Sequence, residues 1–129
     1  MPCNLVAVQK ATVSQVAIEK VVERPELLDR ALADLGIKAQ VSSRYGRLIV
    51  ITPQVQVAID PDGKLWIYPN RTPLSKEQQE QINTLISRAL RLAATRYAQA
   101  EFVLAAKRAG LRISGASPVP GGRKIILEV

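Results

Sequence analysis

The chain contains no histidine and a single cysteine, Cys3. Imidazole and thiolate zinc sites, the Ser-His-Asp triad and Cys-His catalysis are therefore excluded, because each needs side chains this chain does not carry. An internal disulfide framework is excluded with them, and a lone thiol fits a reducing compartment. Aromatic residues are scarce at 4%: Tyr45, Trp66, Tyr68, Tyr97 and Phe102. No stretch approaches the roughly 18 uncharged apolar residues of a membrane span, since Arg88, Arg91, Arg96 and Glu101 interrupt the most apolar region. Met1 to Lys10 lacks the basic start and apolar run of a secretory signal. The expectation is a cytoplasmic protein with no membrane partner.

What is present is an ordinary globular composition. The 129 residues are 47% hydrophobic with a mean hydropathy of +0.05, which excludes general disorder and predicts one domain over residues 1–129. The net charge of +7 is unevenly placed. From Ile82 onward eight basic residues face two acidic ones, whereas residues 1–35 carry four basic and five acidic groups. The excess falls on the second half of the chain.

The element that organises the rest is Ser75 to Ala109, read as one long helix. Pro73 and Leu74 lead into Ser75, and Gln78 stands three residues on, as in a capping box; Gly110 ends the run. On a wheel of 100° per residue, Ile82, Leu85, Ile86, Ala89, Leu90, Ala93, Tyr97, Ala100 and Leu104 share one side, while Arg88, Arg91 and Thr95 face away. After Tyr97 the pattern drifts: Phe102, Ala106 and Ala109 land on the polar side and Lys107 lands inside the stripe. Either the helix bends near Arg96 to Glu101, or Phe102 faces a partner.

Before this helix, Asn4 to Val22 is rich in Val, Ala and Thr, with alternation at Val16, Ile18 and Lys20, and predicts one or two strands. Pro25 to Gly36 predicts a short amphipathic helix, with Pro at its first position and Leu27, Leu28, Ala31, Leu32 and Leu35 at helical spacing. The period then changes to two. Lys38 to Ser43, Arg47 to Thr52, Val55 to Ile59 and Lys64 to Tyr68 predict four strands, parted by Tyr45-Gly46, Pro53 and Asp60-Pro61-Asp62-Gly63. Leu111 to Ser117 and Arg123 to Val129 predict a closing hairpin about Pro120-Gly121-Gly122. The fold class expected is α+β, an antiparallel sheet drawing strands from both ends of the chain and packed against one short and one long helix.

Four further motifs have plain structural readings. Asp60 and Asp62 resemble the start of a calcium loop, but Leu65, Trp66 and Ile67 follow where oxygen ligands are needed, so a turn is expected. Gly121-Gly122-Arg123-Lys124 lacks the spacing of a phosphate loop. Asn70-Arg71-Thr72 matches a glycosylation sequon, which has no meaning without a secretory signal. Glu77 and Glu80 suit the positive end of a helix dipole.

The order of elements resembles a known family. Ile18 to Gly36, where an opening strand runs into Pro25, Glu26, Leu28, Ala31, Leu32, Leu35 and Gly36, is similar to the start of the hypothetical chloroplast reading frame thirty-five family, a domain of unknown function in cyanobacteria and algal plastids. Arg96-Tyr97-Ala98, then Phe102, Val103, Lys107-Arg108, Gly110, Leu111 and the strand Ile125 to Val129, is similar to that family's C-terminal end. Residues 1–14 are additional, and Gln99 and Ala100 replace an aromatic and a basic residue of the family pattern. The resemblance implies a small α+β domain acting as an accessory to larger machinery, and it carries over no catalytic residue.

The function expected is therefore a non-catalytic interaction or assembly protein. It is read as binding a protein partner or a second copy through Arg88, Arg91, Phe102, Lys107 and Arg108, with no cofactor, metal or small-molecule ligand. The alternative is a nucleic-acid-binding module that adds Arg112, Arg123 and Lys124 to the cations of the helix. Against it stands the shortage of aromatics for stacking. Trp66 and Tyr68 share one side of a strand, and both are buried if that strand is central.

Overall fold

The computed structural model describes residues 6–110, 112–119 and 122–128. Cys3, Leu111, Pro120, Gly121 and Val129, used in the sequence reading, lie outside the described residues. The elements in chain order are β1 (Ala7–Lys10), α1 (Gln15–Glu23), α2 (Pro25–Asp34), β2 (Gln40–Arg44), β3 (Arg47–Ile51), β4 (Val55–Ile59), β5 (Lys64–Pro69), α3 (Lys76–Arg108), β6 (Arg112–Val119) and β7 (Gly122–Glu128). The first five strands form one antiparallel sheet in the order β1-β5-β4-β3-β2. The architecture is α+β, as the change of period predicts.

Alternation along the strands sends one set of side chains towards the helices. Leu48, Val50, Val57, Ile59, Leu65 and Ile67 are fully buried there, in one cluster with Ile18, Val21, Leu28, Leu32, Leu90 and Ala93 from the helices. The Asp60-Pro61-Asp62-Gly63 turn joins β4 to β5, with Asp60 and Lys64 paired across it. Gly63 has φ +96, and a Cβ there would lie 3.4 Å from the Lys10 Nζ and 3.7 Å from the Ile18 Cδ1. The position needs glycine for its backbone, while a Cβ there would meet Lys10 and Ile18 only at ordinary contact distance.

Two expectations are corrected. Asn4 to Val22 was expected to be one or two strands, but among its described residues only Ala7–Lys10 is a strand, and Gln15–Glu23 is a helix. Ser14 caps that helix, its hydroxyl accepting from the Ala17 amide at 3.2 Å. Ile18 and Val21 are buried while Val16 is 60% exposed, so burial runs with the helical period and not with the alternation of Val16, Ile18 and Lys20. A nine-residue helix with this many β-branched residues has little intrinsic stability, and packing on α3 and α2 decides its state. The sheet is therefore covered by two short helices and one long one. Second, the C-terminal strands do not join the main sheet: β6 and β7 form a separate two-stranded sheet with each other.

The long helix begins where the capping box places it. Ser75 Oγ accepts from the Gln78 amide at 3.1 Å, and Gln78 Oε1 accepts from the Ser75 amide at 2.9 Å. Ile86, Ala89, Leu90 and Ala93 are buried, Ile82 and Tyr97 are half-buried, and Leu85, Ala100 and Leu104 are exposed. The wheel thus holds at Ile82, Ile86, Ala89, Leu90, Ala93 and Tyr97, misses at Leu85, and fails beyond Tyr97. Ser87 is 1% exposed, a buried polar residue that the apolar stripe did not reveal. Its hydroxyl accepts from the Thr12 amide at 3.1 Å and donates to Asn83 Oδ1 at 3.0 Å, and Asn83 Nδ2 donates to the Lys10 carbonyl at 2.9 Å. One turn on, Arg91 Nη1 donates to the Thr12 carbonyl at 2.9 Å and to its hydroxyl at 3.0 Å.

Two substitutions test this packing by urea denaturation. Ile86→Ala is expected to cost about 2–5 kcal/mol. Ser87→Ala is expected to cost about 1–3 kcal/mol, because it orphans the Thr12 amide against a helix. A loss below half of either range places that side chain outside the core.

Candidate functional site

Arg88, Arg91, Phe102, Lys107 and Arg108 all project from α3 and all are exposed. Their surroundings divide them. Arg91 is tied to Thr12, so its guanidinium holds the turn between β1 and α1. Arg96 pairs with Asp34 at the end of α2. Among the described residues, Arg88, Lys107 and Arg108 have no ion-pair partner. Lys107 and Arg108 occupy the last turn, where the negative end of the helix dipole favours cations. Arg112, Arg123 and Lys124 are placed by the backbone alone: Arg112 opposite Glu128, Arg123 opposite Pro118 and Lys124 opposite Ser117.

Tyr97 marks the point where α3 leaves the other helices. Its hydroxyl donates to Glu23 Oε2 at 2.7 Å at the end of α1, and the Lys20 ammonium lies 5.8 Å from its ring centre. Beyond it α3 continues unbroken to Arg108, and Ala106 is the one residue buried on that stretch among the described residues. Ala106 was expected in an exposed patch with Phe102, yet it is 5% exposed, on a helix that also contacts β6 and β7. Phe102 is 48% exposed and lies outside the core cluster. Ala98, Ala105 and Ala109 are exposed and fall within about 60° of it on the helical wheel, so the patch is Phe102 among three alanines. On the same wheel Arg108 falls about 120° from Phe102 and Lys107 about 140° from it in the other direction.

The described residues contain no group of three or more Cys, Asp or Glu side chains able to hold a metal ion. Asp60 accepts from Arg47 Nε at 2.5 Å and from Trp66 Nε1 at 2.8 Å, and Asp62 Oδ1 accepts from the Lys64 amide at 3.0 Å. Both carboxylates of the apparent calcium loop therefore serve the turn. Asn70 Nδ2 donates to the Pro53 carbonyl at 2.8 Å, which gives that side chain a role in the loop after β3. A crevice of about 340 Å³ opens between the sheet and the first half of α3. Leu32, Ile37, Val50 and Ile82 contribute to its walls, Gln54 and Gln81 line it too, and no ionisable side chain lines it.

The β5 strand corrects another expectation. It is internal, between β1 and β4, but only its Leu65 and Ile67 side is buried. Tyr68 is 37% exposed and Trp66 is half-buried on the side that carries no helix. Sequence reasoning ties burial to position within the sheet, whereas here it follows which face the helices cover. No family model, curated protein or solved structure matches this chain.

The Tyr97 phenol is held above its usual range, first by its hydrogen bond to Glu23 and then by desolvation and by the charges of Glu23 and Glu101. A raised phenol pKa contributes stability that is full below the ordinary tyrosine value near 10 and is lost as pH rises through the folded value. Melting compared at pH 8 and pH 11 is expected to show the Tyr97→Phe deficit shrinking at the higher pH. An equal deficit at both would place the Tyr97 contribution in packing alone.

Proposed function

We propose that this chain is a non-catalytic interaction or assembly protein of the cytoplasm, docking on a protein partner or a second copy through the part of α3 beyond Tyr97. The observation that carries this reading is Phe102, half exposed among Ala98, Ala105 and Ala109 on a helix segment that has left the sheet. An exposed aromatic ring beside small residues, on a helix segment whose last turn carries Lys107 and Arg108, has the make-up of an interface centre. The resemblance to the hypothetical chloroplast reading frame thirty-five family, whose Arg-Tyr-Ala pattern falls at Arg96-Tyr97-Ala98, fits an accessory role beside larger machinery. The alternative, nucleic-acid binding by the long helix and the C-terminal hairpin, draws less support, because Arg91 is engaged with Thr12.

Phe102→Ala tests the proposal. It is expected to change the stability of the isolated chain by no more than about 0.5 kcal/mol, as exposed substitutions do. At an interface it is expected to cost about 2 kcal/mol or more of association energy, read on a sizing column and in a nuclease-treated pull-down. A variant that loses stability and keeps its size and its partners overturns the reading.

A further inference from the structure

The face of the sheet turned away from the helices carries a pattern that the α3 surface does not. The strand register aligns Lys10, Lys64, Asp60, Arg47 and Arg44 in one row across all five strands. These residues alternate with the buried Leu48, Ile59 and Leu65, so the row belongs to the open face. Four cations therefore share one edge of that face with the Asp60 carboxylate, which is occupied by Arg47 and the Trp66 indole N–H, and with Asp62 in the adjoining turn, whose carbonyl accepts from Lys10 Nζ. The next row inward contains Val8, Trp66 and Ile49, and the one beyond it contains Tyr68 and Ile51. Val8 is 48%, Ile51 45% and Tyr68 37% exposed. The Lys64 ammonium lies 5.4 Å from the Trp66 ring centre.

We propose that this open face binds single-stranded nucleic acid, with phosphates along the Lys10, Lys64, Arg47 and Arg44 row and bases against Trp66 and Tyr68. Charge selects a polyanion. A second copy would bring the same row of cations against itself. The aromatic row selects unpaired bases, since stacking needs a base face that a duplex keeps inside. Trp66 and Tyr68 are two residues apart on one strand, about 7 Å along it, so both present to the same side. The bond from Trp66 Nε1 to Asp60 fixes the indole, which lowers the entropy lost when a base meets it. At the tip of the β2–β3 hairpin, between Arg44 and Arg47, Tyr45 is 96% exposed and has φ 54, a left-handed backbone that a tyrosine adopts at a cost.

The test uses Trp66 as its own reporter, because it is the one tryptophan in the chain. A twelve-nucleotide oligo(dT) titrated into the full chain at low salt is expected to quench its fluorescence saturably, with affinity falling as salt rises by a logarithmic slope of about −0.7 per phosphate contact. Lys64→Gln is expected to flatten that slope by about one contact, and Tyr68→Ala to weaken binding about tenfold. Both positions are exposed, and unchanged circular dichroism and melting confirm that the variants fold. Phe102→Ala is expected to leave the titration unaltered, which separates this surface from the one on α3. No quenching overturns the proposal, as does binding that ignores Lys64→Gln and Tyr68→Ala and is lost on Arg88→Gln. Quenching by phosphatidylglycerol vesicles and not by the oligonucleotide overturns it in favour of a membrane surface.

Discussion

A helix of 33 residues is about 50 Å long, and it lies against a five-stranded sheet that is about 20 Å from edge strand to edge strand. The strands themselves are four to six residues, so the sheet is no longer in the other direction. Whatever angle α3 takes, much of it overhangs. The buried stretch from Ile86 to Ala93, with Ile82 and Tyr97 half-buried at its ends, is the length the core can accept. Everything beyond must be covered by another element, covered by a partner, or left in water. Ala106 meets the first condition and Phe102, about half exposed, meets it only in part.

Because apolar contact alone does not stop a helix sliding along a sheet, directional bonds set its position. Asn83, Ser87 and Arg91 follow one another at four-residue spacing, and together they bond Lys10 and Thr12 at the end of β1. The Ser87 hydroxyl is the critical member, since the Thr12 amide it satisfies has a helix where water would otherwise be. Further along, Tyr97 and Arg96 reach Glu23 and Asp34 at the C-terminal ends of α1 and α2. The ion pair is exposed enough to contribute little energy, so its role is positional. These two sets of bonds fix which residue of α3 is the last to touch the core.

All three helices lie on one side of the sheet, and that leaves the other side to find its own solution. Part of the solution is internal: Ala58 is 3% exposed although it points away from the helices, and its register partner Trp66 is the large side chain beside it. The remainder is charge, with Lys10, Lys64, Arg47 and Arg44 along one edge. Cations on an open sheet face and at its edge strands also discourage pairing with another chain's edge. The proposed recognition of a polyanion draws on these same residues.

Much of the fold was legible in the residues. Proline and glycine placement marked α2 and the β4–β5 turn, the Ser75 and Gln78 pair marked the start of α3, and the change of period between Ile37 and Pro69 marked four strands to within two residues. These signals are local, and local physics suffices to produce them. The Gln15–Glu23 segment was misread because its valines and isoleucine fit a strand or a helix by propensity, and only contact with α2 and α3 distinguishes the two. Ser87 was invisible because a serine among apolar neighbours is ordinary on a helix surface, and its burial depends on Thr12, 75 positions away. The open face was hidden for the same reason: Lys10, Lys64, Arg47 and Arg44 are scattered along the chain and meet only through strand register. Composition and periodicity determined the α+β class, the exclusion of histidine-dependent catalysis and of imidazole and thiolate zinc sites, and the existence of Phe102 on the polar side of a long helix. Tertiary structure alone decided where that helix stops being covered and which sheet face stays bare, because both are set by contacts between residues far apart in the chain, which no local pattern encodes.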